Sequence, residues 1–164
     1  MKNTVLGVLL LFAPPALAAL DIKEIALGAK EQDIKRAFPS AHCRPLQWES
    51  KAADRRCDDS RVAFGGVEVQ VTFYLKKDVV EAFDVRFDTR ELERFVAFLK
   101  SRYGTPVTET VDTFRRKDGG ERQVQKLLWE DGKHRAVLTA QLEKRRASML
   151  VSRGNFDEEI YRVR

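Results

Sequence analysis

Residues 67–75 read "VEVQVTFYL", and this run constrains the chain more than any other. Val67, Val69, Val71, Phe73 and Leu75 alternate with Glu68, Gln70, Thr72 and Tyr74. Successive side chains of a strand point to opposite faces, so period two predicts a strand with one apolar face and one wet face. After "KKD", a second run sets Phe83, Val85 and Phe87 against Asp84, Arg86 and Asp88. Together they predict an antiparallel hairpin whose oily side must be covered by other elements.

Two amphipathic stretches supply that cover. In "TRELERFVAFLKSRYGTP" (89–106), Leu92, Phe95, Val96 and Leu99 form a helical stripe that Tyr103 extends. Thr89 is read as the N-cap, with Glu91 and Glu93 in or near the first turn. Gly104 suits the left-handed position after the helix, and Pro106 prevents continuation. In "LGAKEQDIKRAFP" (27–39), Leu27, Ile34, Ala37 and Phe38 approximate a second face, with Gly28 ahead of it and Pro39 ending it. Residues 20–26 read as a first strand and residues 40–60 as an irregular loop. Residues 107–116, 122–130, 134–142 and 146–153 read as a meander turned at "KDGG" and at Asp131-Gly132. "FDEEIYRVR" reads as a closing helix or a docked tail.

Hairpins without strand–helix–strand alternation predict an α+β domain. The expectation is an antiparallel sheet of about six strands, two helices packed on one face, and one disulfide. The endings "RAFP" and "RYGTP" suggest a degenerate tandem helix-plus-sheet repeat.

The leader "MKNTVLGVLLLFAPPALAALD" joins Lys2, an apolar run from Val5 to Phe12 and the small-x-small pattern Ala16-Leu17-Ala18. It reads as a signal peptide over 1–18, leaving 19–164 as one domain. A membrane-spanning helix would need about 20 apolar residues without Pro14-Pro15. No cysteine stands at the cleavage pattern to carry a lipid. The expected location is the periplasm, with full secretion as the alternative. Cleavage lowers the formal charge of +5 by one. Acids interleave the bases, so the charge reads as a mixed solvated surface with at most weak contact to anionic surfaces. Nucleic acid is not an expected partner.

That compartment decides how to read the two cysteines. Cys43 and Cys57 have no third partner, and an oxidising environment favours one disulfide closing about 15 residues. Zinc would have to be assembled from His42, Cys43, Cys57 and Asp58 without CxxC or HxxxH spacing. A catalytic thiol would have only the adjacent His42 or the distant His134 as base. No metal and no cofactor is predicted.

No GxSxG, SxxK, HExxH or phosphate loop occurs, so no enzyme is predicted. One alternative is an enzyme with an unfamiliar site near the cysteine loop, around His42, Asp54, Asp58 and Asp59. Surface remains. Trp48, Tyr74 and Trp129 are aromatics of the kind that anchor interfaces, or rim packing. Arg55 and Arg56 lie beside Trp48's loop. Arg86, Arg145 and Arg146 could hold an anion, although in a strand over 144–153 Arg145 and Arg146 would face opposite ways.

"ALGAKEQDIKRAFPS" resembles the opening of small envelope domains of the SmpA/OmlA type, where a glycine-led helix precedes an antiparallel sheet. "LERFVAFLKSRYGTP" is similar to the second helix and turn of tandem modules in the β-lactamase-inhibitor-like fold. The mature chain also resembles a family of uncharacterised proteobacterial exported proteins with a Cys…Cys loop. The resemblance implies that fold and a binding role. The combined expectation is a non-catalytic periplasmic domain that binds an envelope protein. A binder of an anionic small molecule or lipid is the alternative.

Overall fold

The computed structural model describes residues 19–162; the leader read at 1–18 lies outside the described residues. A two-residue ladder, β1 (Asp21–Ile22) with β2 (Ile25–Ala26), opens it. Helix α1 (Glu31–Ala37) follows, then β3 (His42–Pro45), β4 (Arg55–Phe64), β5 (Val67–Lys76) and β6 (Val79–Phe87). A 3-10 turn (Thr89–Glu91) leads into α2 (Leu92–Tyr103). Strands β7 (Thr108–Arg115), β8 (Glu121–Glu130), β9 (His134–Gln141) and β10 (Arg146–Arg153) come next, and α3 (Phe156–Glu159) closes the order.

Strands β3 to β10 form one eight-stranded sheet in the order β3-β4-β5-β6-β10-β9-β8-β7, every pairing antiparallel. Two four-strand meanders, each behind a helix, thus meet along β6 and β10. The sheet has eight strands rather than about six. The two that escaped the sequence reading are β3, inside the stretch 40–60 taken as an irregular loop, and β4, which begins in that stretch and runs on to Phe64. The period of β4 is broken by a register shift between Asp59 and Val62, so Cys57 and Asp59 are buried before it and Val62 and Phe64 after it. An extra residue reverses which parity faces the core.

The β5–β6 hairpin stands as the alternation predicts, from Val71 opposite Val85 to Phe73 opposite Phe83. Its turn residues Lys77 and Asp78 both have positive φ, as do Gly65 and Gly66 between β4 and β5. Positive φ at both central positions matches the right-handed twist of a two-residue hairpin. Local corrections follow. Residues 20–26 are a tiny hairpin, not a strand. Asp88 rather than Thr89 accepts from the Arg90 amide and caps the turn into α2. Residues 142–144 form a 3-10 turn and Arg145 is left-handed, so the strand read over 134–142 ends at Gln141, while the last strand starts at Arg146 as the sequence predicts.

The main core joins Ile34 and Phe38 with Leu92, Phe95, Leu99 and Tyr103 and with the odd-numbered apolar residues of β5, β6 and β10. Phe87 and Phe95 lie 4.4 Å apart between centroids, and Phe38 and Phe73 5.1 Å. Each buried Phe contributes roughly 1.5–3 kcal/mol of burial. Cys43, Cys57, Phe73 and Phe83 form one row across four strands. The disulfide Cys43–Cys57 therefore ties two paired strands at the core's edge.

A second cluster lies across the sheet. Tyr74, Ala82, Ala52, Ala53, Phe156 and Ile160 are its buried members, with Trp48, Leu46 and Leu150 against them. Here α3 and residues 46–53 cover one end of the face that alternation assigned to water.

Candidate binding face

Residues opposite one another in antiparallel strands share a face, so the register maps the side away from the main core. One row reads Asp58, Thr72, Asp84, Leu150, Val137, Leu128. The next reads Gln70, Arg86, Ser148, Thr139, Lys126. A third, near the far end, brings Tyr74, Ala82, Ser152 and Arg135 together. The second cluster covers the third row, while Gln70, Arg86 and Lys126 stay exposed.

Trp48 is half-buried rather than bare. Its indole Nε1–H donates to the Ile160 carbonyl at 2.8 Å, and its ring stacks on Tyr161 at 5.9 Å. The Ser50 hydroxyl donates to the Glu159 carbonyl at 3.2 Å. The segment between the cysteines thus docks the C-terminal helix onto Tyr74, whose ring lies 5.4 Å from Phe156. Burial pushes the Tyr74 phenol above its ordinary pKa. Trp129 belongs to the main core; it is 3 % exposed and donates to the Gly104 carbonyl at 2.9 Å.

The arginines separate into pairs. Arg55 reaches back to Glu31 on α1 at 2.7 Å. Its guanidinium, helped by Lys35, holds the Glu31 carboxyl down at about 2. Arg56 makes a two-pronged contact with Asp58, to which Thr72 also donates at 2.8 Å. Arg86 donates from Nε to Asp84 at 2.7 Å. Burial raises the Asp84 pKa against the opposing pull of Arg86. Arg145 reaches Asp88 at 2.8 Å, where Arg90 also donates. Those hydrogen bonds, the Arg90 amide's first, hold the Asp88 carboxyl below its usual range.

Two open clefts flank the Asp84–Arg86 pair. One, of about 280 Å³, has Tyr74, Leu150, Phe156 and Tyr161 as apolar wall and Asp84 and Arg86 as polar edge. The other, of about 780 Å³, lies toward the opposite end and brings together Arg86, Arg145 and Arg146 with Glu68, Asp88 and Lys144. The Arg145–Arg146 split across faces expected of a strand over 144–153 does not arise, because the left-handed Arg145 precedes that strand. Sequence reasoning passed over Tyr161, 72 % exposed, and the Ser148–Thr139 pair. Alternation along 146–153 signals Ser148; nothing local signals that Tyr161 stacks on Trp48.

The groups named for an enzyme come together only in part: His42 lies opposite Asp58 on the β3–β4 edge, while Asp59 faces the other side and Asp54 caps the Lys77 amide. Asp58 faces the open side, and Asp59, on the opposite parity, accepts from the Arg61 amide. Asp54 accepts from the Lys77 amide at 3.0 Å, and His42 is exposed at the sheet edge. Glu31 approaches both sulfurs, but these are joined in the disulfide and the carboxylate is held by Arg55. No helix among the described residues is long and apolar enough to cross a membrane. Comparison with protein-family models, curated protein sequences and solved structures gave no match to this chain.

Proposed function

We propose that the chain is a non-catalytic binding domain of the periplasm, and that it takes an envelope protein on the free face of its sheet. In this reading α1 and α2 cover one face and leave the other to the partner. The carrying observation is the row Gln70–Arg86–Ser148–Thr139–Lys126, which runs across five strands with no element of the described residues over it, beside an apolar cleft. Interfaces combine such an apolar anchor site with a polar surround. The two helix-led meanders also support the likeness to β-lactamase-inhibitor-like tandem modules drawn from residues 92–106.

The staple has a role in this reading. The β3–β4 pairing fixes the ends of the segment that carries Trp48, the disulfide secures that pairing against unfolding, and Trp48 holds the carbonyl of Ile160. The wall of the apolar cleft is thereby set before a partner arrives, which lowers the ordering cost of binding.

The test is affinity capture from native envelope extract with three baits: the wild type, Gln70→Trp on the free face, and Arg94→Trp on α2. An enriched protein retained by the wild type and Arg94→Trp but lost with Gln70→Trp is expected. Lipid or polysaccharide without an enriched protein overturns the reading.

A further inference from the structure

We infer that the larger cleft receives an extended acidic segment of the protein partner, with carboxylates on alternate residues. This inference rests on the protein-binding reading and specifies what is bound. Four cations, Arg86, Lys144, Arg145 and Arg146, line the cleft against two acids, Glu68 and Asp88. Asp88 is already engaged by Arg90 and Arg145. Lys144 and Arg146 are exposed and make no ion pair among the described residues. The cleft therefore offers surplus positive charge that the fold itself does not use.

The spacing of the cations selects the ligand. Arg86 pairs with Ser148, and Arg146 lies two residues before Ser148 on β10, so Arg86 and Arg146 are diagonal neighbours on adjacent strands. Such neighbours are about 7–8 Å apart. Lys126 lies three strands from Arg86 in the row through Ser148 and Thr139, which is roughly 14 Å at the usual strand spacing. A compact anion reaches one or two of these groups. Alternate side chains of an extended chain lie about 7 Å apart, which matches the diagonal step. Guanidinium groups pair with carboxylates through two parallel hydrogen bonds. The hydroxyls of Ser148 and Thr139 and the amides of Gln70 and Gln141 lie between the cations and can meet the segment's backbone. Glu68 at the rim disfavours a dense polyanion but tolerates charges spaced along a chain.

The experiment is titration calorimetry at low salt with the full, disulfide-intact chain. The probes are a peptide of four Glu–Ser repeats, its Glu-to-Gln counterpart and inorganic phosphate. The expected result is binding of the Glu peptide alone, weakened at least about tenfold in Lys144→Glu/Arg146→Glu, and weakened by salt. The graded variant Lys144→Gln/Arg146→Gln should fall between, with melting curves showing that both fold. No binding of the Glu peptide overturns the proposal, as does equal affinity in the charge-reversed chain. Phosphate that displaces the peptide at equal concentration also overturns it, marking a compact-anion site. If capture of an envelope protein still depends on Gln70 while the peptide fails to bind, the acidic-segment inference falls and the protein-binding reading stands.

Discussion

Reducing the disulfide should cost about 3 kcal/mol, and the location of the cysteines says where that loss acts. Cys43 and Cys57 are separated by 14 positions. Closing a loop of about 15 residues removes unfolded-state entropy worth about 3 kcal/mol near room temperature. In the native state the sulfurs join residues that β3 and β4 already hold opposite each other, with His42–Asp58 and Arg44–Arg56 paired on either side. Reduction therefore leaves the folded pairing largely intact and frees the unfolded chain. With a urea m-value of about 2 kcal/mol/M, the unfolding midpoint should fall by about 1.5 M at unchanged slope. The assay is paired urea titration of oxidised and reduced protein, followed by circular dichroism. Tryptophan emission in the absence of urea should be the same in both forms, because Trp48 keeps its bond to Ile160. A midpoint shift below about 0.3 M would refute the unfolded-state account. Altered emission before any unfolding would show instead that the bridge braces the native segment.

Glu31 supplies a pH dependence. Its folded pKa of about 2 lies below the ordinary 4.5, so its contribution is present above pH 4.5 and lost as pH falls toward 2. The shift corresponds to at most about 3.4 kcal/mol, and screening around the exposed Lys35 and Arg55 reduces this to about 1 kcal/mol. Glu31→Gln should flatten the acid limb of a stability–pH curve by that amount; an unchanged limb contradicts the pairing. Gly65 has φ +62°, and a Cβ there would overlap the Phe98 ring. Gly65→Ala should destabilise by about 1–3 kcal/mol, partly relieved in combination with Phe98→Ala; strict additivity in thermal melts would count against the clash.

What the sequence revealed divides by the range of the interactions. β5, β6 and α2 were legible because alternation along 67–75 and the stripe Leu92–Phe95–Leu99 encode burial locally. The final meander was legible from Asp131-Gly132 and its flanking strands, Gly132 taking the positive φ that the turn needs. β4 was not, because the shift between Asp59 and Val62 hides its period behind neighbouring arginines and aspartates. Trp129 was ambiguous for a related reason. "KLLWE" carries apolar residues on both parities, and the register rather than the pattern places Leu127 and Trp129 inward and Leu128 outward. Tyr74 was correctly placed on the face away from the main core, yet it is buried. Its cover comes from Phe156 and residues 46–53, and the Trp48–Ile160 bond spans 112 positions. A contact at that separation leaves no local signature. The grouping of Arg86, Arg145 and Arg146 at one cleft was equally hidden, because it depends on β6 lying beside β10.

The free sheet face can be tested in place by photo-crosslinking. A benzophenone side chain is installed at Gln70, at Lys126 or at Arg94, and cells expressing each version are irradiated. Crosslinking of one envelope protein from Gln70 and Lys126, with none from Arg94, is predicted. Crosslinks from Arg94 on α2 with none from the two sheet positions would contradict the account.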